Sequence, residues 1–209
     1  IPFNWLTYRA TEIGMVADAI LLALALAERF NINQSEKLAA EKRADIDLLT
    51  NLNNRRAFYK FVQPLWAISL RSKSHTSVII LDIDDFKLLN DNYGHPVGDL
   101  VLVRLAETIQ KEARSGDILA RWGGEEFLIF LPETQLTDAI TIADRMRKKI
   151  TTIQISIDNG EKISLTASFG VATTQDINVS LNELIAQADR QLYHAKKKGR
   201  NRVYPDLSN

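Results

Sequence analysis

Two rhythms of apolar positions alternate along the chain from residue 57 onward. Ala57 to Leu70 repeats at helical spacing, which predicts an amphipathic helix with Phe58, Phe61, Leu65 and Trp66 in the core. Ser77 to Asp82 is a short unbroken apolar run, consistent with a central strand buried on both faces. Phe86 to Asn92 predicts a short helix, broken by Gly94-His95-Pro96 before a longer one from Val97 to Ala113. Ile118 to Leu131 predicts a β-hairpin: two apolar segments flank Gly123-Gly124, and glycine enters the φ > 0 conformations of a tight turn without a Cβ penalty. Gln135 to Ile150 is helical again, with Ala139, Ile142, Ala143, Met146 and Ile150 on one side. Thr152 to Gly170 alternates on both sides of Asn159-Gly160, a second predicted hairpin. A last helix spans Ser180 to Lys198, with Leu184, Ala188, Leu192 and Ala195 at helical spacing.

The first 46 residues follow a different pattern. Glu12 to Arg29 is apolar, with Asp18 the only charge between Glu12 and Glu28. A membrane span needs about 20 apolar residues, and this run is shorter and interrupted. A packed amphipathic helix and a truncated membrane segment both remain open. Asn31 to Ile46 is polar and helix-favouring, but Leu38, Ala39, Ala40 and Ala44 are too few for a self-sufficient coiled coil, so it reads as a weakly pairing stalk. The chain begins Ile1-Pro2-Phe3, which suggests a fragment of something longer.

Composition narrows the function. At 209 residues and 45% hydrophobic content the chain can bury one catalytic domain with an extra element. Lys+Arg and Asp+Glu balance at 26 each, which argues against a nucleic-acid-binding or membrane-surface polycation. Cysteine is absent, excluding disulfides and thiolate metal sites.

Two acidic clusters carry the candidate chemistry. The apolar run Val78-Ile79-Ile80-Leu81 leads into Asp82-Ile83-Asp84-Asp85, and Gly123-Gly124 is followed at once by Glu125-Glu126. In strand geometry Asp82 and Asp84 share a face, so this segment could offer carboxylates and a backbone carbonyl to one hard cation. Two such clusters at strand ends favour a Mg²⁺ site completed by substrate phosphates.

GGEEF at Gly123 to Phe127, LDIDDFK at Leu81 to Lys87, NDNYGHPVGD at Asn90 to Asp99 and KKGRN at Lys197 to Asn201 together resemble the GGDEF family of diguanylate cyclases, in the family's order. The likeness covers roughly Asp47 to Tyr204. It implies an α/β (α+β) fold with a central, mostly antiparallel sheet flanked by helices, of the nucleotidyl-cyclase or palm kind. Residues 1–46 would form an N-terminal helical stalk and 47–209 the catalytic domain. Asp47 to Arg56 resembles the family's entry turn, with Asn51 where glycine is usual; asparagine is the next best residue for a left-handed backbone.

The resemblance also implies roles. Asp82, the Ile83 carbonyl, Glu125 and Glu126 would hold Mg²⁺, with Mn²⁺ as a substitute, and Glu125 would assist deprotonation of the 3′-hydroxyl. Backbone N–H groups around Asp85, Phe86 and Lys87, and the Lys87 side chain, would hold phosphates of GTP. Asn90 and Asp99 would read guanine, with His95 in the same motif, while Lys196 and Arg200 would meet the triphosphate. Arg114-Ser115-Gly116-Asp117 matches the family's R-x-x-D product-inhibition site, with Arg145 as a supporting arginine for cyclic di-GMP. Catalysis would need a homodimer, because each domain holds one GTP. The segment LLALALAERF resembles the last transmembrane helix of seven-helix receptor modules, implying membrane attachment of the full-length protein and a cytoplasmic catalytic domain of an inner-membrane sensor. The competing reading is a degenerate GGDEF module that binds GTP or cyclic di-GMP and relays a signal without catalysis.

Overall fold

A computed structural model describes residues 45–157 and 162–206, together with residues 12, 15, 22, 24, 26–30 and 34, which are helical. The chain divides into two units, Ile1–Ala44 and Asp45–Asn209. In the first unit the described side chains of Met15, Leu22, Leu24, Leu26 and Phe30 are exposed. Among the described residues no helix is long and apolar enough to cross a membrane. The stalk expected over Asn31 to Ile46 lies almost wholly outside the described residues, as does the Asn159-Gly160 turn.

The second unit is built in the order β1 (Asn53–Asn54), α1 (Arg55–Ser72), β2 (Thr76–Ile83), α2 (Phe86–Tyr93), α3 (His95–Glu112), β3 (Ile118–Arg121) and β4 (Glu126–Leu131). It continues with α4 (Leu136–Ile150), β5 (Gln154–Ser156), β6 (Lys162–Ser164), β7 (Ala167–Thr174), α5 (Leu181–Lys197) and β8 (Val203–Tyr204). Six strands form one sheet in the order β1-β3-β4-β2-β7-β8. The inner pairs β3–β4, β4–β2 and β2–β7 are antiparallel, and only the short edge strands β1 and β8 run parallel to their neighbours. The expected mixed fold with a mostly antiparallel sheet is therefore what forms.

Every residue of β2 is buried, because helices cover both faces of the sheet. Ile79, Leu81 and Ile83 join Leu102, Leu105 and Met146 in one core. Val78 and Ile80 join Phe58, Val62, Leu184 and Leu192 in the other. This parity matters for the site, since Asp82 belongs to the even-numbered face that α1 and α5 cover. Asn54 caps α1 by accepting from the Ala57 N–H, and Ser180 with Glu183 forms a capping box on α5.

Two expectations need correction. Phe61 is 42% exposed, because α1 turns that side outward while Phe58 and Val62 face the sheet. The expected antiparallel pairing on either side of Asn159-Gly160 forms, but the alternating stretch Thr152 to Gly170 does not lie in one sheet. Strands β5 and β6 pair as a separate two-stranded sheet, whereas β7 continues into the main sheet against β2.

At Gly170 the α5 backbone lies so close to β7 that a Cβ would collide with Ala188 and Leu192. Glycine is needed here for close approach rather than for a turn. Gly170→Ala is expected to destabilise the domain by at least about 1–3 kcal/mol, the usual cost of overpacking. A chemical-denaturation midpoint unchanged from wild type would contradict that contact.

Candidate active site

Strand register brings the two acidic clusters together. Asp82 lies directly opposite Glu126 across the β2–β4 pair and opposite Ser168 across the β2–β7 pair. The Ile83 N–H donates to the Glu125 carbonyl at 3.4 Å, tying the end of β2 to the acidic turn. The Trp122 and Gly123 N–H groups both donate to the Glu126 carbonyl, at 2.8 and 3.3 Å, and close that turn. Gly123 and Gly124 do not adopt the positive φ expected of them. A Cβ on Gly123 would stand 3.2 Å from Glu126 Oε2, whereas one on Gly124 would meet nothing within 4 Å, so crowding bears on the first glycine alone. The turn thus keeps an open approach beside its carboxylates.

Lys196 reaches over from α5 and pairs with Asp82 at 2.7 Å. Burial pushes the Asp82 carboxyl up to about 6; Lys196 pulls it down, and the neighbouring charges of Glu125 and Glu126 push it further up. Mutual repulsion of that kind means the fold holds negative charge that a cation would relieve. Among the described residues no three carboxylate or imidazole side chains form a complete metal cage. Mg²⁺ commonly takes one or two carboxylates and completes its shell with water and phosphate, so this donor set fits it.

The remaining predicted residues fall around the same strand end and the two helices after it. Asp85 is left-handed (φ 54°) and precedes α2, whose N-terminus no side chain caps. Its carboxylate lies 3.4 Å from Arg200 Nε. Lys87 is exposed, whereas the Phe86 ring is buried in the core, so only the backbone of Phe86 can meet a ligand. Gly94 (φ 82°) separates α2 from α3, and His95 stands exposed at the start of α3. Asn90 packs against Gly98, where any Cβ would collide with its side-chain oxygen. That oxygen is buried without a hydrogen-bond partner. Asp99 is exposed on the next residue.

Asp84 departs from its expected place beside Asp82. Its carboxylate accepts from Thr166 Oγ1 at 2.7 Å, Ser168 Oγ at 2.6 Å and the Asn201 N–H at 3.0 Å, so its lone pairs are committed within the fold. Lys196, expected on triphosphate, here meets Asp82 instead.

A cavity of about 410 Å³ includes Leu52, Asn53, Gln110, Arg114 and Asp117 in its lining. The Asp117 carboxylate accepts from the Arg114 backbone N–H at 2.7 Å, which leaves the pair as a local turn rather than a guanidinium bridge. Burial pushes Asp117 up, against the pull of that bond and of the Arg114 and Arg145 charges. Arg145 is itself held by Glu112, with Nε to the carboxylate at 2.7 Å and Nη2 to the backbone carbonyl at 2.8 Å.

Arg121 makes a connection that the local sequence pattern does not signal. Arg121, the last residue of β3, donates from Nε and Nη2 to the Gly124 carbonyl at 3.1 and 2.8 Å, and from Nη1 to both Asp47 oxygens at 3.2 Å. Asp47 also takes the Thr50 N–H and hydroxyl at 2.9 and 2.7 Å. Burial acts to raise its carboxyl, but these partners outweigh it and hold the group below its ordinary value. In the same entry turn Asn51 adopts φ 58°, as its resemblance to a glycine position implied. A single guanidinium therefore ties the entry turn to the acidic turn. An arginine two residues before a diglycine carries no signal of a partner 74 positions away.

Comparison with known proteins agrees with this geometry. Residues 44–202 match the family model described as Diguanylate cyclase, GGDEF domain. Diguanylate cyclase DgcM of Escherichia coli (strain K12) is 38% identical over 196 residues, covering 93% of this chain and 46% of that protein. The coiled coil and GGDEF domain of DgcB from Caulobacter crescentus, solved in complex with c-di-GMP, superposes with a TM-score of 0.80 at 28% identity, covering 90% of this chain and 97% of that one. The active GGEEF domain of a diguanylate cyclase from Vibrio cholerae superposes with a TM-score of 0.67 at 32% identity, covering 73% and 97%. The chain belongs to the GGDEF family of diguanylate cyclase domains. It spans about half the length of the DgcM relative it matches.

Proposed function

We propose that the second unit condenses two GTP into cyclic di-GMP with release of two pyrophosphates, in a Mg²⁺-dependent reaction between paired domains. The observation that carries this reading is the register of Asp82 against Glu126, which sets acidic side chains from β2 and β4 on one rim beside Lys196. Degenerate modules tend to lose such residues, and their joint presence disfavours the purely nucleotide-sensing alternative. That the solved Vibrio cholerae GGEEF domain is described as active supports the same choice.

Asp82, the Ile83 carbonyl, Glu125 and Glu126 would hold the metal, with Mn²⁺ able to replace Mg²⁺. When bound, the ion supplies charge neutralisation on the triphosphate and polarisation of the attacking hydroxyl. The chain's own groups do the rest. The uncapped N-terminus of α2 offers backbone N–H groups to phosphate, aided by Lys87, Lys196 and Arg200. Glu125 accepts the 3′-hydroxyl proton. Asn90, with an amide oxygen that folding leaves unpaired, and Asp99 read the guanine edge, near His95. Arg114, Asp117 and Arg145 bind cyclic di-GMP and restrain turnover. Two domains must face each other before either hydroxyl reaches the other nucleotide, and such proximity contributes about 7–11 kcal/mol. In the full-length protein the first unit would lead toward an inner-membrane sensor, with catalysis on the cytoplasmic side. The Arg121 clamp would then connect the entry turn to the acidic turn.

The reading is tested by nucleotide choice and stoichiometry. GTP, and not ATP, should disappear with release of one pyrophosphate per nucleotide. Asp99→Ala should weaken GTP binding by about 1–3 kcal/mol and relax discrimination against ATP, because two guanine donors lose their acceptor. Parallel shifts in GTP and ATP affinity would show that Asp99 does not read the base.

A further inference from the structure

Asp84 makes its bonds to groups other than the predicted metal ligands. Its backbone N–H donates to the Thr166 carbonyl at 2.9 Å, and its side chain collects the Thr166 and Ser168 hydroxyls and the Asn201 N–H. That last bond crosses 117 residues to a loop with unusual backbone. Gly199, Arg200 and Asn201 stand at φ 109°, 60° and 44° in succession, and of these Arg200 carries a side chain that resists the left-handed region. The loop is held from three sides. Arg200 N–H donates to the Ala195 carbonyl at 3.1 Å, Asn201 Oδ1 accepts from Arg147 Nη1 at 3.1 Å, and Asp84 takes the Asn201 N–H. A carboxylate acceptor makes this last a charge-assisted bond, stronger than a neutral one. The consequence falls on Arg200, whose guanidinium lies beside Asp85 at the start of α2.

We propose that Asp84 is a positioning residue that fixes the 199–201 loop, so that Arg200 is aimed at the α2 N-terminus before nucleotide arrives. Asp84 itself touches neither phosphate nor metal; it sets nucleotide affinity through Arg200. This rests on the reading of the α2 N-terminus as the triphosphate site.

The test uses 3′-deoxy-GTP, which binds without condensing, titrated calorimetrically into the 209-residue chain with Mg²⁺. Asp84→Asn keeps the side-chain shape but replaces an acceptor oxygen with a donor, and should weaken binding about tenfold. Arg200→Ala should weaken it comparably, and the double variant should be no weaker than Arg200→Ala alone. Thr166→Val, which removes only the hydroxyl on the same carboxylate oxygen, should shift affinity in the same direction by less, again only when Arg200 is present. Mn²⁺ affinity, read by electron paramagnetic resonance without nucleotide, should be unchanged by Asp84→Asn. Additive losses in the double variant, or a lowered melting temperature with unaltered nucleotide affinity, would overturn the proposal. So would weakened Mn²⁺ binding, which would make Asp84 a ligand. Nucleotide binding by wild type without any condensation of GTP would sink the cyclase reading and leave this one standing, whereas no binding at all would sink both.

Discussion

Asp82→Asn and Glu125→Gln should each leave a folded domain whose production of cyclic di-GMP is lower by about 100-fold or more, the scale on which a preorganised charge at a reacting centre acts. Both residues sit where a strand ends or turns, so neither change opens a cavity. Asp82 should also reveal its function as a cost in stability. Burial and the charges of Glu125 and Glu126 raise its carboxyl to about 6 despite Lys196, from an ordinary 3.8. A folded-state value above the unfolded one means that protonation favours the native state. In Mg²⁺-free buffer this contribution is fullest below about 3.8 and is lost as pH rises through about 6. Asp82→Asn has no such titration. Its melting temperature relative to wild type should therefore be more favourable at pH 7.5 than at pH 4.5, and a pH-independent difference would contradict the assigned environment. For the same reason, apparent Mg²⁺ affinity of wild type should fall as pH drops through about 6, because proton and metal compete for one carboxylate.

Arg114→Ala should raise the concentration of cyclic di-GMP needed for half-inhibition by about tenfold while initial rates stay near those of wild type. The Arg114 guanidinium is exposed, and only its backbone N–H is engaged with Asp117, so the side chain can meet a ligand without dismantling the turn. Lysine should not rescue the loss, since an ammonium cannot present the bidentate fork that phosphate or guanine accepts. The site is joined to the acidic turn by β3, which starts at Ile118 and ends at Arg121. Inhibition should be non-competitive with GTP, as expected when product binds a separate site and the two are coupled. Progress curves with added cyclic di-GMP read this directly. Equal inhibition of wild type and variant would return Arg114 and Asp117 to a simple surface turn.

What the sequence reveals of this site follows from how local each interaction is. The strand-end position of Asp82 and the turn at Gly123-Gly124 are legible because they depend on neighbours in the chain. The parity that sends Asp82 toward α5 is also legible in outline, since a strand alternates. Asp84 falls just past the end of that strand, and its role is decided by the arrival of Thr166, Ser168 and Asn201 from more than 80 residues away. The same holds for Arg121 and Asp47, and for Lys196 on Asp82. Phe61 shows the limit in the core: a helical stripe is wider in sequence than the face that finally packs. The diglycine marks the turn, yet its backbone takes no positive φ, and only at Gly123 does a neighbour, the Glu126 carboxylate, come close to where a Cβ would stand.

The most direct test of the central claim is incubation of the chain with GTP and Mg²⁺ over a range of protein concentrations, followed by chromatographic separation of the nucleotides. One cyclic di-GMP should form for every two GTP consumed, with a specific rate that climbs as protein concentration rises, because two loaded domains must meet. GTP that binds yet remains unreacted at the highest protein concentration would contradict it.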